Sequence, residues 1–514
     1  MKKIFICILA SLFSLFSAFA QQSLPEDIVF KIKQEAFQNA QIETLAMYLT
    51  DYAGPRLAAS KNSERAELLA REKLSELGFS HPRIEKAADF PKGGWDNLKT
   101  YAAMTAPYYC PFTATPKAWS GSTDGLVQGE VILLNINTPD DIEQYRGTLG
   151  NKIVLMAETA KYEVLFTPFA TRFTPEELHL LATDPRPQGR RPFRMQMMGA
   201  AFELQQKIRA FLAEEHVAMV ISGDGFFNVP RSTSVPYGKY GDPEPVPELV
   251  LPAEAHGRMV RLIAAKIPVS MEVEIKNEFY NNQVINNVIA EIPGTDPKLK
   301  EEVVLIGAHW DSWHGGTGAA DNASGSIVMM EALRIIKASG VSPRRTIRIA
   351  LWGGEEQGLI GSRGYVNDFL YDVNENKPRK GYNQFALYLN MDNGSGKFRG
   401  IYLEENDMAF PFLREWGKAL ENMGFNTLSP RRTGGTDHQS FDRIGLPAFQ
   451  FIQDELEYGR GYHTLMDTYE RLIIADLQYN AAVVALLALS AAMDNGKIPP
   501  KPLPVNFSMQ WQRR

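Results

Sequence analysis

The chain has 514 residues, of which 22% are charged, and it carries a formal net charge of −6 at pH 7. This is the composition of an ordinary globular protein, and the length predicts two or three domains. Because no basic block or stripe is present, we expect no nucleic acid partner.

Residues 1–20 have the pattern of a secretory signal peptide. Lys2 and Lys3 precede the apolar run 4–16, and Ala-Phe-Ala at 18–20 is typical of a cleavage site. A membrane anchor is disfavoured because the apolar run is too short. The sequence therefore predicts a periplasmic or secreted protein with no stable membrane anchor after cleavage. The only cysteine left would be Cys110, which excludes an intrachain disulfide.

Residues 21–115 are predicted to form the N-terminal part of a catalytic domain. The stretch Leu24–Leu77 is largely helical in pattern, because its apolar residues recur at helical spacing. Two alternating stretches, Arg83–Phe90 and Leu98–Ala106, are predicted to be strands. We expect this whole part to flank the catalytic domain.

Residues 116–276 are predicted to form a compact α+β module, because short strand signals alternate there with a few helix patterns. Its length of about 160 residues is ordinary for a domain. Within it, Tyr162–Pro192 has few periodic runs and is predicted to be a long surface insertion, with a lid as a candidate role. Pro243–Pro252 is predicted to be a proline-rich connector.

Residues 277–497 carry the pattern of a parallel sheet. The apolar run Val303–Ile306 predicts a buried strand, Ile327–Lys337 a helix, and Thr346–Trp352 a second buried strand. Two strands separated by a helix make a βαβ unit and imply parallel pairing. We expect either of two serines to cap the helix: Ser324 or Ser326.

Further strands are predicted at Phe385–Met391 and Pro447–Ile452, and a buried helix at Leu472–Met493. No segment after residue 20 is expected to span a membrane. Residues 498–514 are predicted to be a C-terminal tail. The expected fold class is therefore α/β.

Metal-binding side chains follow the predicted strands where each strand ends. Because ligands bind at the carboxyl ends of parallel strands, we expect these side chains to converge at one edge of the sheet. They are His309, Asp321, Glu355, Glu356, Asp392 and His463.

Two histidines and three carboxylates, one of them shared, make two sites with three protein ligands each. Three protein ligands plus water is the open arrangement of catalytic zinc, and imidazole with carboxylate favours Zn²⁺, with Mn²⁺ or Co²⁺ as alternatives. Two such ions about 3.5–4 Å apart can act on one substrate. The sequence therefore predicts a cofactor of two zinc ions.

Four segments resemble the motif set of the dizinc exopeptidases, a family that includes bacterial secreted aminopeptidases, aminopeptidase Y and plasma glutamate carboxypeptidase. These segments read HWDSW with GAADNASG, LWGGEEQGLIGSRGY, LNMDNGSG and GYHTLMDT, and the resemblance covers roughly residues 284–480. It implies a three-layer α/β/α zinc peptidase domain. Residues 116–276 resemble, through weaker motifs, the protease-associated domain that members of this family often carry as an insertion.

The resemblance also implies a role for each residue of the site. His309 and Asp392 would hold one zinc ion, Glu356 and His463 the other, and Asp321 would bridge both. Two further residues complete the expected machinery: Glu355 as general base and Asp311 as the acceptor that orients His309. Because Glu355 would have cations as neighbours, we expect a free carboxylate at neutral pH without special tuning.

Two more histidines are assigned by their surroundings. Thr436-Asp437-His438 resembles a segment that lies near the substrate in some relatives, so His438 is a candidate substrate-binding residue. His314 is predicted to be an ordinary loop histidine.

The sequence thus predicts an exported zinc exopeptidase that acts on peptides, with an aminopeptidase favoured over a carboxypeptidase or dipeptidase. Two different functions are disfavoured because every ligand position and the base are filled: a glutaminyl cyclase with one zinc ion, and a catalytically inactive binding domain. The oligomeric state stays open.

Overall fold

The computed structural model describes residues 23–158, 164–184 and 192–503, with the backbone alone over 192–202. The predicted signal peptide at 1–20 lies outside the described residues. So do most of the predicted tail and two parts of the stretch 162–192.

Eighteen strands form two large sheets and one small ribbon among the described residues. In chain order they are β1 (Ser80–Asp89), β2 (Gly94–Ala106), β3 (Cys110–Pro111), β4 (Thr115–Pro116), β5 (Val127–Leu134), β6 (Ile153–Met156), β7 (Met219–Gly223), β8 (Glu248–Leu251), β9 (Ser270–Tyr280), β10 (Val284–Ile292), β11 (Val303–His309), β12 (Thr346–Trp352), β13 (Tyr371–Asp372), β14 (Lys377–Pro378), β15 (Phe385–Asn390), β16 (Phe398–Tyr402), β17 (Thr427–Ser429) and β18 (Ala448–Gln453).

The α-helices of the described residues cover the first sheet and part of the second. They are α1 (Glu26–Gln38), α2 (Ile42–Met47), α3 (Lys61–Glu76), α4 (Pro175–Thr183), α5 (Pro192–Glu214), α6 (Ala253–Ala264), α7 (Ser324–Ala338), α8 (Ile360–Tyr365), α9 (Lys380–Gln384), α10 (Phe410–Gly417), α11 (His438–Asp442), α12 (Tyr458–Gly461) and α13 (Ile474–Met493).

The first sheet has eight strands in the order β1-β10-β12-β11-β15-β18-β16-β17. Strands β12, β11, β15 and β18 are parallel to one another, as the βαβ pattern predicts. Strand β10 runs antiparallel to β1 and β12, and β16 antiparallel to β18. The carboxyl ends of the four central strands therefore lie at one edge of the sheet.

Helices cover both faces of this sheet, which makes the predicted three-layer α/β/α arrangement. Alternate residues of β11 point to opposite faces: Val304 and Ile306 pack with α1, α2, α7, α10 and α13, whereas Leu305 packs with α8 and α11. Because both faces are covered, the central strands are mostly apolar.

Helix α13 is a core helix of the first sheet. Of the described residues, it is the only helix long and apolar enough to cross a membrane, with a mean hydropathy of 1.5. This departs from the expectation that no such segment exists after residue 20. However, 83% of its apolar window is buried inside the fold, and the helix packs along α7.

The second sheet also has eight strands, in the order β3-β2-β9-β5-β6-β7-β8-β4. One strand was expected elsewhere: β2 does not flank the catalytic sheet but pairs antiparallel with β9, from Gly94 opposite Tyr280 to Ala106 opposite Ser270. Alternating residues identify a strand without identifying its partner, which explains the difference. The second sheet thus extends beyond 116–276 on both sides, and the domain boundaries themselves stay predictions.

Two smaller expectations also differ. The connector 243–252 contains strand β8. The apolar run of this strand is short and follows several prolines, so the sequence did not predict it. Helix α7 has no serine cap: Ser324 Oγ donates to carbonyls of Ala320 and Gly394, both at 3.0 Å, and Ser326 Oγ donates to the carbonyl of His309. The amide of Gly325 is instead bonded by the side chain of Asn322, at 3.0 Å.

Candidate metal centre

The predicted ligands lie at the carboxyl edge of the first sheet. Each is placed by the end of an element: His309 is the last residue of β11, and Asp392 follows β15. Asp321 lies in the turn 319–323 ahead of α7, and Glu356 lies in the loop after β12. His463 follows α12. The structure brings together all five residues, which we call the candidate metal centre.

The first group of the candidate metal centre contains His309, Asp321 and Asp392. His309 Nε2 lies 3.3 Å from Asp392 Oδ1 and 3.5 Å from Asp321 Oδ1. All three residues are buried. Two ligands bonded to one tetrahedral zinc ion at about 2.0–2.1 Å lie roughly 3.3 Å apart, so these separations fit a shared metal ion.

The second group contains Asp321, Glu356 and His463. His463 Nε2 lies 3.2 Å from Asp321 Oδ2 and 3.0 Å from Glu356 Oε2. Within each group the ligand atoms lie within 4.8 Å of one another. Asp321 therefore belongs to both groups, with one carboxylate oxygen facing each histidine.

The polar atoms of the candidate metal centre are better satisfied by metal ions than by hydrogen bonds to one another. Glu356 Oε1 is buried without a hydrogen-bond partner among the described residues, which is costly unless an ion or a water binds it. Burial, followed by the charge of Asp321, raises the pKa of Glu356 to about 7. The chemistry of imidazole and carboxylate donors at these separations suits zinc.

Both histidines are surrounded by carboxylates. Burial opposes a charged imidazole, but Asp392, Asp311 and Asp321 outweigh it and hold the pKa of His309 well above its usual value. Likewise, burial lowers the pKa of His463, while Asp321 and Glu356 outweigh it and raise the pKa to about 9. A metal ion must therefore displace a proton from each ring in order to bind.

Glu355 and Asp311 lie beside the first group. The amides of Glu355 and Glu356 donate to the Asp311 carboxylate, at 3.1 and 3.3 Å. His309 Nδ1 lies 3.1 Å from the Asp311 carbonyl oxygen and 3.5 Å from Asp311 Oδ1. Asp311 thus contacts both the histidine that it was expected to orient and the backbone of the glutamate pair.

Glu355 lies close to the first group. The side chain is buried and lies 4.0 Å from His309 Nε2. Burial raises its pKa well above the usual value; His309 opposes this effect, and the carboxylates of Asp392 and Asp437 add to it. The role of Glu355 as general base stays a prediction.

The peptide bond between Asp321 and Asn322 is cis. Asn322 is fully buried, and its Nδ2 donates to the carbonyl of Met391 at 2.8 Å. The turn that carries Asp321 is thereby tied to the segment that carries Asp392.

Two residues that the sequence analysis did not identify hold the turn that carries Asp321. The Asp467 carboxylate accepts hydrogen bonds from the amides of Ala320 and Asp321, at 2.6 and 3.0 Å. Arg56 is fully buried and donates to the carbonyls of Trp310 and Gly318, at 2.6 and 2.7 Å. Asp467 stands in the GYHTLMDT motif, so the sequence could have identified it as a residue near the site. Nothing in the sequence identifies Arg56 in this way.

Arg56 supplies a positive charge from the chain to this acidic region. Burial lowers its pKa to about 10, against the opposing charges of Asp467, Asp311 and Asp321. At this value the guanidinium stays charged near neutral pH, where it offsets part of the repulsion among the carboxylates.

His438 lies outside both ligand groups. It is fully buried, its Nε2 lies 3.6 Å from Glu404 Oε1, and both ring nitrogens lack a hydrogen-bond partner among the described residues. Its neighbour Asp437 is also buried, and burial raises the pKa of Asp437 to about 7. The substrate-binding role of His438 stays a prediction.

His314 is not an ordinary loop histidine. Its Nε2 lies 2.8 Å from the carbonyl oxygen of Pro116, in strand β4, and its ring packs edge-on against Trp95 at 5.2 Å. Burial lowers its pKa to about 4, so the ring is neutral and can donate to that carbonyl. It therefore links the loop after β11 to the second sheet.

A metallopeptidase is the class of protein that this fold and this site define, because an α/β/α sheet carries overlapping histidine–carboxylate ligand sets beside a buried glutamate. The chain is similar to peptidase family M28, whose model matches residues 287–488. It is accordingly a hydrolase that depends on metal.

Similar proteins support this assignment. Carboxypeptidase Q of Mus musculus is 25% identical over 465 residues, which cover 90% of this chain and 88% of that protein. A peptidase M28 precursor from Shewanella amazonensis superposes with a TM-score of 0.67 at 23% identity, covering 93% of this chain and 98% of its own. BSAP, a zinc aminopeptidase from Bacillus subtilis, gives a TM-score of 0.55 at 19% identity, covering 88% and 94%. At these identities the two structures show a shared fold.

Proposed function

We propose that this chain is a zinc exopeptidase that hydrolyses terminal peptide bonds of peptides through a dinuclear centre. The observation that carries the proposal is Asp321, whose two oxygens lie 3.5 and 3.2 Å from His309 Nε2 and His463 Nε2. A carboxylate shared in this way holds two ions at neighbouring positions. The family match and the zinc aminopeptidase among the similar structures support zinc as the metal.

In this proposal each side chain has a definite part. His309 and Asp392 would hold one ion, Glu356 and His463 the other, and Asp321 both. When bound, the ions would supply Lewis acidity to the scissile carbonyl and lower the pKa of a water molecule. Their charge would also lower the pKa of Glu355, against the effect of its burial.

Glu355 would act as the general base. It lies beside His309 without being a member of either ligand group. It would take a proton from the attacking water and deliver it to the leaving amine, which is how a carboxylate serves peptide hydrolysis. Asp311 would keep Glu355 in place through the backbone amide, and His438 would contact the substrate from the buried side.

Two candidate functions differ in the end of the peptide that is cleaved. An aminopeptidase is the first candidate, as expected from the sequence. A carboxypeptidase or dipeptidase is the second, and the similarity to carboxypeptidase Q over 90% of this chain favours it. Export from the cytoplasm, with removal of residues 1–20, belongs to the proposal in either case.

A panel of dipeptides with free ends, a blocked amino end and a blocked carboxyl end tests the proposal. We expect hydrolysis that is lost with a chelator and restored by zinc, together with two zinc ions per chain by elemental analysis. Loss of activity with the amino end blocked identifies the aminopeptidase, and loss with the carboxyl end blocked the carboxypeptidase. One ion per chain with cyclisation of glutaminyl peptides, or no metal at all, would refute the proposal.

A further inference from the structure

The loop 225–235, between strands β7 and β8 of the second sheet, reaches the candidate metal centre. The amide of Ser232 donates a hydrogen bond of 2.7 Å to the carbonyl oxygen of His463. Arg231, which precedes Ser232, forms an antiparallel bridge with Thr464, which follows His463. Two parts of the chain that belong to different sheets therefore meet at the backbone of a predicted metal ligand.

His463 needs such a support because of its backbone conformation. Its φ of 60° lies in the left-handed region, which residues other than glycine adopt only where the surroundings hold them. Its ring stacks on Tyr462, with centroids 3.6 Å apart, and lies 5.6 Å from the ring of Trp313. On the same side, the Arg231 guanidinium lies 5.8 Å from the Tyr462 ring.

The segment that leads to His463 is held at its other end too. Thr171 and Leu456 bond in both directions, with N–O distances of 3.2 and 2.9 Å. Arg172 Nη1 lies 2.8 Å from Asp454 Oδ2, and Asp454 is fully buried. Both ends of the stretch 454–464 are thus bonded to residues of the segment that lies between β1 and β10 in the sequence.

From these contacts we infer that loop 225–235 is a positioning element of the metal centre. The Ser232 amide fixes the His463 carbonyl and thereby aims the imidazole toward Asp321 and Glu356. The second sheet then contributes to the affinity for one ion, the ion of the Asp321–Glu356–His463 group. This inference rests on the proposed dinuclear function and deepens it, because it distinguishes the two ions.

The variant Ser232→Pro tests the inference, because proline has no amide N–H to donate. Ser232→Ala is a matched control: the amide stays, and the Ser232 hydroxyl that it removes is buried without a hydrogen-bond partner among the described residues. In a competition titration with a chelating dye, we expect Ser232→Pro to bind one of the two zinc ions about 10-fold more weakly, as for one lost buried hydrogen bond. The other ion, and both ions in Ser232→Ala, should bind as in the wild type.

Hydrogen exchange on the wild-type chain supplies a second measurement that does not depend on the folding of a variant. Because positioning is reciprocal, zinc that is held by His463 must stabilise the loop that holds His463. We expect zinc to slow amide exchange in peptides covering 225–235 several-fold, as well as in those covering 309–321.

The outcomes separate this inference from the proposed function. Equal zinc affinities in Ser232→Pro and the wild type, or zinc-induced protection at 309–321 without protection at 225–235, would refute the inference and leave the dinuclear exopeptidase intact. A wild-type chain that binds no zinc would refute both.

Discussion

Asp321 is the residue that the two groups of the candidate metal centre share, and it is held through its backbone amide. Its amide donates to Asp467, and this leaves both carboxylate oxygens directed at histidines. The arrangement divides the work between two acidic residues. Asp467 positions the turn, and Asp321 is available to metal ions. We therefore expect substitution of these two residues to have different effects.

Glu355→Gln should keep both ions and the fold while it lowers kcat. The amide cannot accept the proton of the attacking water, so we expect a loss of roughly 10²- to 10⁴-fold. Metal analysis and kcat on a dipeptide substrate check this together. Near-normal turnover in the fully loaded variant would exclude Glu355 as the base.

Asp467→Asn should weaken zinc binding without removing any ligand. An asparagine can accept from one of the two amides but presents an NH₂ group to the other, and the buried Arg56 loses its foremost counter-charge. Substitutions of residues that orient metal ligands cost about 10- to 100-fold in affinity. Zinc titration checks this value, with the exposed neighbour Glu470→Gln as the control that should bind zinc normally.

The sequence predicted that these five side chains would lie together, because each stands next to a strong strand or glycine-rich signal. His309, Glu356 and Asp392 follow apolar strands, and parallel pairing brings strand ends together. Arg56 could not be found in this way: its contacts with Trp310 and Gly318 join distant parts of the chain, and no spacing records them. The same holds for Ser232, which acts through an amide that every residue except proline has.

At the scale of elements, the strands were easier to predict than their partners. The boundaries of β12 agree with the predicted strand Thr346–Trp352, because a strand that is buried on both faces is mostly apolar. By contrast, β2 and β9 alternate in polarity and are compatible with either sheet. In the structure β2 and β9 pair with each other over nearly their whole length, although about 160 residues separate them in the sequence.

Helix α13 is the element on which the core of the first sheet depends most. Leu486, at its centre, is fully buried among the helices on that face. Leu486→Ala removes buried methyl groups and leaves a cavity, so we expect a loss of about 2–5 kcal/mol in the free energy of unfolding.

Urea unfolding of the zinc-free protein measures this change. Leu68→Ala is the matched control, because Leu68 is 44% exposed on α3 and its truncation should change stability by less than about 0.5 kcal/mol. Equal destabilisation of the two variants would contradict the assignment of α13 as the core helix.

At the scale of the whole molecule, some contacts of the second sheet and its loops reach the surroundings of the candidate metal centre. His314 reaches Pro116, and Ser232 reaches His463. Metal ions would therefore bind where the two parts of the molecule meet, and they would stabilise both parts together.

Zinc removal should lower the melting temperature of the whole molecule in one step. Free zinc at 100 times its Kd would stabilise the folded chain by about 2.7 kcal/mol for each ion. Differential scanning calorimetry with zinc and with excess chelator checks this, and magnesium serves as the control ion. Two separate transitions, with only one of them shifted by zinc, would contradict the joint stabilisation.

The point at which the chain leaves the first sheet lies beside the point at which it returns. The amide of Phe90, just after β1, bonds to the carbonyl oxygen of Gln283, just before β10, at 2.8 Å. The segment between these two residues therefore begins and ends at the same place in the fold. A gene fusion that links residue 90 to residue 283 would retain every strand pair of the first sheet. This geometry allows the segment between residues 90 and 283 to be replaced by another one in evolution, while the strands of the first sheet keep their connections.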